Sequence, residues 1–248
     1  MNVTLHALSF VCRACRLFGV LSLPARPLAR GLLVVTGGPQ YRAGSHRQFT
    51  LLAQQLAARG IPVLRFDYRG MGDSEGEMRD YSDIGDDLDC ALRQFFGAVP
   101  VLSELVVWGL CDGATAAAMH AWKDKRICGL ILLNPWVRTG AGIARATLRH
   151  YYPARLLQAD FWHKLAAGQV APLAVLRSLY ALAAAGANGK ERQRKPDLAP
   201  QRLYAGLARF DGRILIILSG DDLTAREFDA LSSASPAWRK LMARPQLS

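Results

Sequence analysis

A cysteine stands between two glycines at Gly109-Leu110-Cys111-Asp112-Gly113, after the apolar run Val106-Val107-Trp108 and before the small residues Ala114-Thr115-Ala116-Ala117-Ala118. Strand, glycine-flanked turn and small-residue helix together describe a nucleophile elbow, the sharp turn that holds one side chain above the end of a sheet. Glycine is required at 109 and 113 because a side chain at either place would collide with the neighbouring strand or helix. Cys111 is therefore a candidate nucleophile for acyl transfer, and the unpaired N–H groups and dipole of the helix that follows favour its thiolate. The competing reading is an inert cysteine in a glycine-punctuated turn. Whether the rest of an acyl-transfer site can be found decides between them.

Such a site needs backbone donors for an oxyanion, a histidine, and an acid that orients the histidine. Gly37-Gly38 closes the apolar run 31–36, and because Pro39 has no N–H the donor there is assigned to Gly38. Asp112, the residue after the nucleophile, supplies the second N–H. The acid is expected in Ser219-Gly220-Asp221-Asp222, after the apolar run 213–218; Asp222 is preferred, Asp221 is the alternative, and a helix cap is the competing role for either. His120 lies more than two turns along the elbow helix and is set aside. His6 falls in an N-terminal hairpin and His163 in an inserted tract, which leaves His46 and His150 as candidate bases, each with a substrate-positioning or structural role competing.

The elements that must carry these residues alternate along the chain. The stretch 5–23 reads as a β-hairpin, since Arg13 and Arg16 interrupt what otherwise imitates a signal peptide. Continuous apolar runs at 31–36, 61–66, 105–110, 127–133 and 213–218 have the length and composition of buried parallel strands. Between them, helices are predicted over 46–59, with Ser45 as cap, and over 81–96, with Ile84, Leu88, Leu92 and Phe95 as the buried stripe. Strand-helix alternation specifies a mostly parallel sheet with helices on both faces, and ligands then bind at the carboxyl ends of the strands. Gly37, Asp67, Cys111 and Asn134 all fall there.

From 138 to about 200 the alternation gives way to a helical, basic tract ending in the polar run Asn188-Gly189-Lys190-Glu191-Arg192-Gln193-Arg194-Lys195-Pro196, read as a lid and exposed loop. The expected division is a first core part at 1–137, the lid at 138–200 and a last core part at 201–248, with a further helix from about 225 and a short amphipathic piece at 237–243.

With 248 residues, 51% of them hydrophobic and 21% charged, the chain can bury one large α/β core. Five scattered cysteines argue against a disulfide framework, and the Cys12-x-x-Cys15 pair has no partner pair at zinc-like spacing, so neither metal nor cofactor is expected. No apolar run reaches the roughly 18 residues of a spanning helix, which predicts a soluble protein. A net charge of +11 comes without any nucleic-acid motif and is read as a solvated basic surface.

Several longer segments resemble the α/β-hydrolases, through Asp67-Tyr68-Arg69-Gly70-x-Gly72-x-Ser74-x-Gly76 and the elbow. More narrowly, they resemble the first of two hydrolase families associated with exosortase A systems. That narrower resemblance also rests on Gly37-Gly38-Pro39-Gln40-Tyr41-Arg42-Ala43-Gly44-Ser45-His46-Arg47, Leu133-Asn134-Pro135-Trp136-Val137-Arg138, Leu148-Arg149-His150-Tyr151-Tyr152 and Leu218-Ser219-Gly220-Asp221-Asp222-Leu223-Thr224-Ala225. The resemblance implies an α/β-hydrolase fold and a bacterial cytoplasmic hydrolase encoded alongside exopolysaccharide and protein-sorting machinery. In that superfamily the catalytic histidine follows the acid, whereas here no histidine follows Asp222. A last strand and histidine loop are thus expected to be missing, with 244–248 reading as a truncated or frameshifted end. Asp67 and Arg69 are expected to brace their loop, and Ser74 to serve the turn.

The leading expectation is hydrolysis or transfer of an acyl group from a small-molecule ester or thioester through Cys111. The alternative is a catalytically impaired binding or assembly module whose basic lid meets an acidic partner or a membrane surface.

Overall fold

The computed structural model describes residues 2–137 and 198–248. The expected lid, with His150, His163 and the basic run at 188–196, lies outside the described residues.

Seven strands form one sheet: β1 (Val3–Cys12), β2 (Cys15–Pro24), β3 (Arg30–Val35), β4 (Val63–Asp67), β5 (Glu104–Leu110), β6 (Ile127–Leu133) and β7 (Arg213–Ile217). Their order is β1-β2-β4-β3-β5-β6-β7. The pairs involving β2 are antiparallel, and β4-β3-β5-β6-β7 are parallel throughout. The hairpin β1-β2 turns through Arg13 and Ala14, both at positive φ, and Cys12 faces Cys15 across it. The Cys-x-x-Cys pair is thus the closing pair of a two-residue turn. Burial pushes the Cys12 thiol up to about 12.

The helices are α1 (Gln48–Ala57), α2 (Gly85–Ala98), α3 (Asp112–His120), α4 (Ala199–Arg209), α5 (Leu223–Ala234) and α6 (Pro236–Met242). Alternation along the strands separates two cores. Leu32 and Val34 of β3 pack with Phe49 and Ala53 of α1 and with Val63, while Leu33 and Val35 face the larger core of α2, α3, α4 and α6. All four residues of the predicted stripe, Ile84, Leu88, Leu92 and Phe95, are buried in that core. Among the described residues no helix is long and apolar enough to cross a membrane.

Three local departures have plain causes. The helix expected from 46 begins at Gln48 instead, because His46 and Arg47 sit at positive φ. Ser45 makes no side-chain cap; the Ala43 carbonyl accepts from Phe49 and Thr50 amides in its place. Helix α4 was not foreseen, and it packs on α3 where a Cβ on Gly206 would lie 2.2 Å from the Ala118 carbonyl oxygen. The residues Gln246 to Ser248, read from sequence as an unfinished end, run along the outer edge of β7, with Ile214 N–H donating to Gln246 at 2.7 Å and Ile216 N–H to Ser248 at 2.8 Å.

Candidate active site

The elbow lies between β5 and α3. A Cβ on Gly109 would come within 2.5 Å of Ala114 Cα, and one on Gly113 within 2.5 Å of the Thr36 carbonyl oxygen. The first glycine lets the strand meet its helix, the second lets the helix meet the end of β3. Cys111 between them has φ 54 and ψ −122. A non-glycine residue in this region costs on the order of 1–3 kcal/mol and persists only when its surroundings over-determine it. They do so here: Cys111 N–H donates to Leu133 at 2.9 Å, while its carbonyl accepts from Ala114 at 3.1 Å and from Trp136 at 3.2 Å. Thr115 Oγ1, which the sequence did not single out, donates to the Trp136 carbonyl at 2.7 Å. Strand β6 and the turn after it therefore clamp the elbow. Cys111 is half-buried.

The loop after β3 is fastened to the end of β4. Asp67 is fully buried and accepts from the Arg42 amide at 2.8 Å and from the Arg42 guanidinium, which also reaches Asp73 at 2.7 Å. Tyr41 Oη donates to the same Asp73 oxygen at 2.6 Å. Arg69 makes two side-chain contacts with buried Asp87 on α2, at 2.9 and 2.7 Å. Ser74 Oγ donates to the Asp67 carbonyl at 2.6 Å. In these contacts all three residues hold the loop in shape.

Parallel pairing of β3 with β5 brings Gly38 beside the elbow, as the sequence expects of an oxyanion donor. Its amide proton, however, goes to the side chain of Asp112: Gly38 N–H donates to Asp112 Oδ1 at 2.5 Å, and Gly113 N–H to the same oxygen at 2.9 Å. Burial raises the Asp112 carboxyl above the ordinary carboxylate range, the two amides oppose that rise, and the charge of Asp80 adds to it. Tyr68, buried nearby, is held protonated by burial first and by the Asp112 charge second. The sequence identified the backbone of Asp112 and missed its side chain.

The other candidates are dispersed. Asp222 Oδ1 accepts from Thr224 N–H at 2.7 Å and from Ala225 N–H at 3.2 Å, the cap of α5. Asp221 is exposed, 3.6 Å from Arg226. Asn134 ties the end of β6 to β7: its side chain donates to Ser219 Oγ at 3.1 Å and accepts from Ser219 N–H at 2.9 Å. His46 is exposed at the turn before α1. His120 is half-buried against Gly85, where a Cβ would lie 2.4 Å from its ring.

The family model described as serine aminopeptidase, S33, matches residues 29–190. The quorum-quenching protein AidA of Acinetobacter baumannii is 29% identical over 119 residues, 46% of this chain and 38% of that protein. The polyketide transferase GrgF of a Penicillium species is 32% identical over 91 residues, 35% of this chain and 31% of that protein. The chain thus matches these curated relatives over less than two fifths of their length. Among solved structures, an esterase of Pyrococcus furiosus superposes with a TM-score of 0.65 at 14% identity, covering 99% of this chain and 80% of that one. The structure of GrgF does so with 0.61 at 18%, covering 98% and 87%. The fold is that of the α/β-hydrolases.

Proposed function

The chain belongs to the serine aminopeptidase, S33, family of α/β-hydrolases, and on that premise we propose that it cleaves or transfers acyl groups from esters or thioesters with Cys111 as nucleophile. The observation that carries this reading is the backbone of Cys111, held at φ 54 and ψ −122 by partners on β6 and the following turn. In the reaction the Cys111 thiolate attacks the acyl carbonyl, the Gly38 and Asp112 amides receive the oxyanion, and the leaving group departs with the proton that Cys111 gave up. The resulting thioester on Cys111 then passes its acyl group to water or to a second nucleophile. Asp222, or else Asp221, is the acid of this scheme, and His46 or His150 is the base that carries the proton. Thiolates are nucleophilic without full base assistance, so activated acyl groups suit this arrangement.

The family description names a serine enzyme, whereas this chain carries cysteine at the elbow; the activity in that description is not carried over. The sequence resemblance supports a bacterial, cytoplasmic setting beside exopolysaccharide and exosortase machinery. The chain is divided in this reading into core parts at 1–137 and 201–248 with the lid at 138–200 between them. Incubation with p-nitrophenyl acetate followed by intact-mass and peptide analysis should place one acetyl group on Cys111. Absence of the adduct, or equal labelling of Cys111→Ala, would reject this reading.

A second reading, a binding or assembly module whose basic lid meets an acidic partner or a membrane surface, is favoured by Asp222 being engaged as a helix cap and Gly38 by Asp112. Binding to vesicles containing anionic lipid that weakens steeply with salt would support it.

A further inference from the structure

The side chain of Asp112 already holds the Gly38 amide, one of the two donors proposed to receive the oxyanion. Its Oδ1 takes the Gly38 and Gly113 amide protons at 2.5 and 2.9 Å, and the residue is 8% exposed. The pocket is fitted closely around it: a Cβ on Gly37 would come within 2.6 Å of that same oxygen and 2.1 Å of the Leu110 carbonyl oxygen. Bare backbone on this side leaves the carboxylate flush against the loop.

Amide contacts to a carboxylate are charge-assisted and about twice as strong as those to a neutral carbonyl. A substrate carbonyl is neutral on arrival and gains its charge only as attack proceeds. It must then take the Gly38 proton from a group already ionised. Two anionic oxygens cannot share that proton in a desolvated pocket without strong repulsion. The side chain can leave without backbone change, by rotation about Cα–Cβ.

We propose that Asp112 is an internal competitor for the oxyanion site: its carboxylate closes the amide cradle of the free protein, and acyl transfer at Cys111 proceeds only when that side chain turns away. This rests on the reading of Cys111 as an acyl nucleophile. Asp112 is on this account a positioning residue that opposes reaction in the resting state, and the cradle it fills is one for a small carboxylate or a tetrahedral oxyanion. Burial favours the outward turn, since it disfavours the charged carboxyl that the amides retain.

Two measurements on wild type, Asp112→Ala and Asp112→Asn test it. In the first, amide NMR resonances of Gly38 and Gly113 are followed during acetate titration. Acetate should shift them saturably in Asp112→Ala and leave them in place in wild type, where the internal carboxylate already occupies the cradle. Equal responses in the two proteins would overturn the proposal. In the second, Cys111 is acetylated by p-nitrophenyl acetate and, separately, alkylated by iodoacetamide, a reagent that forms no oxyanion. Acetylation should be about tenfold or more faster in Asp112→Ala, the scale of an oxyanion contact, while alkylation stays within about twofold. Equal acceleration of both reactions would mean that the charge acts on the thiol, and the proposal would fail.

Asp112→Asn keeps the shape and the acceptor without the charge, and serves where the alanine variant does not fold; it too should acetylate faster than wild type, and unchanged or slower acetylation overturns the proposal. If acetate enters the cradle of Asp112→Ala while Cys111 accepts no acyl group in any protein, the hydrolase reading fails and the occupied cradle stands. If Cys111 is acetylated equally in all three and acetate shifts nothing, the reverse holds.

Discussion

Gly113, at the start of α3, lies against Thr36 so closely that a Cβ on the glycine would sit 2.5 Å from the Thr36 carbonyl oxygen and 2.7 Å from that of Val35. Both obstacles are backbone at the end of β3, where the loop that carries Gly38 begins, so a side chain at 113 must push the elbow away from its proposed oxyanion donor. Gly113→Ala is expected to lower unfolding free energy by about 2–4 kcal/mol, as a backbone clash does rather than a surface change. Urea denaturation reads the loss, and acetylation of Cys111 should fall at urea-free conditions where the variant is still folded.

The buried pair Arg69–Asp87 fixes the loop after β4 to α2, with both side chains almost wholly removed from water. Removing one partner leaves an uncompensated buried charge, so Arg69→Ala should cost about 3–5 kcal/mol. A double change, Arg69→Met with Asp87→Leu, should recover a large part of that. Equilibrium unfolding of the two variants checks the order; a double variant as unstable as the single one would contradict it.

Asp222 can be a helix cap, an acid, or both, and two substitutions separate the roles. Asparagine caps as well as aspartate, whereas alanine costs about 1 kcal/mol of cap energy. Asp222→Asn should therefore keep wild-type stability, and a fall in turnover of an activated ester in that variant would assign a role to the charge. Asp221→Asn, altering an exposed side chain, should keep wild-type stability, and a fall in turnover there with none in Asp222→Asn would move the role of acid to Asp221.

His120 should make stability depend on pH. Burial first, and the Lys123 and Arg202 charges next, pull its imidazole down to about 4 from 6.5, against the smaller pull of Asp86 and Asp83. The folded protein therefore binds this proton less readily than the unfolded chain does. The stability it contributes is complete above about pH 6.5 and is lost as pH falls towards 4, by roughly 1–2 kcal/mol once the solvent-facing part of the ring is discounted. Its Nε2 is buried without a hydrogen-bond partner among the described residues, so His120→Phe loses little there. Melting temperatures between pH 7 and 4.5 should converge on a flatter profile in His120→Phe.

Much of this architecture was legible because the signals are local. The apolar runs of β3 to β7 are bounded by glycine, proline and acid, and the stripe Ile84, Leu88, Leu92, Phe95 repeats at helical spacing. The start of α1 was not legible, since nothing in Ser45-His46-Arg47 announces two consecutive left-handed residues. Helix α4 was not foreseen; Gly206 within it lowers helix propensity, and it is there to let α4 touch α3.

By itself, the order of residues determined the strand-helix alternation, and with it a parallel sheet whose carboxyl edge gathers Gly37, Asp67, Cys111 and Asn134. It also determined that Cys111 would need glycines on both sides, since that requirement follows from the turn alone. Only the tertiary structure decided which proton donors at that edge are already engaged. Gly38 and Asp112 are 74 positions apart, and no spacing rule links an amide in one loop to a carboxylate on a helix in another. That contact exists because β3 and β5 pair in register, and pairing of strands is settled by the packing of the whole sheet.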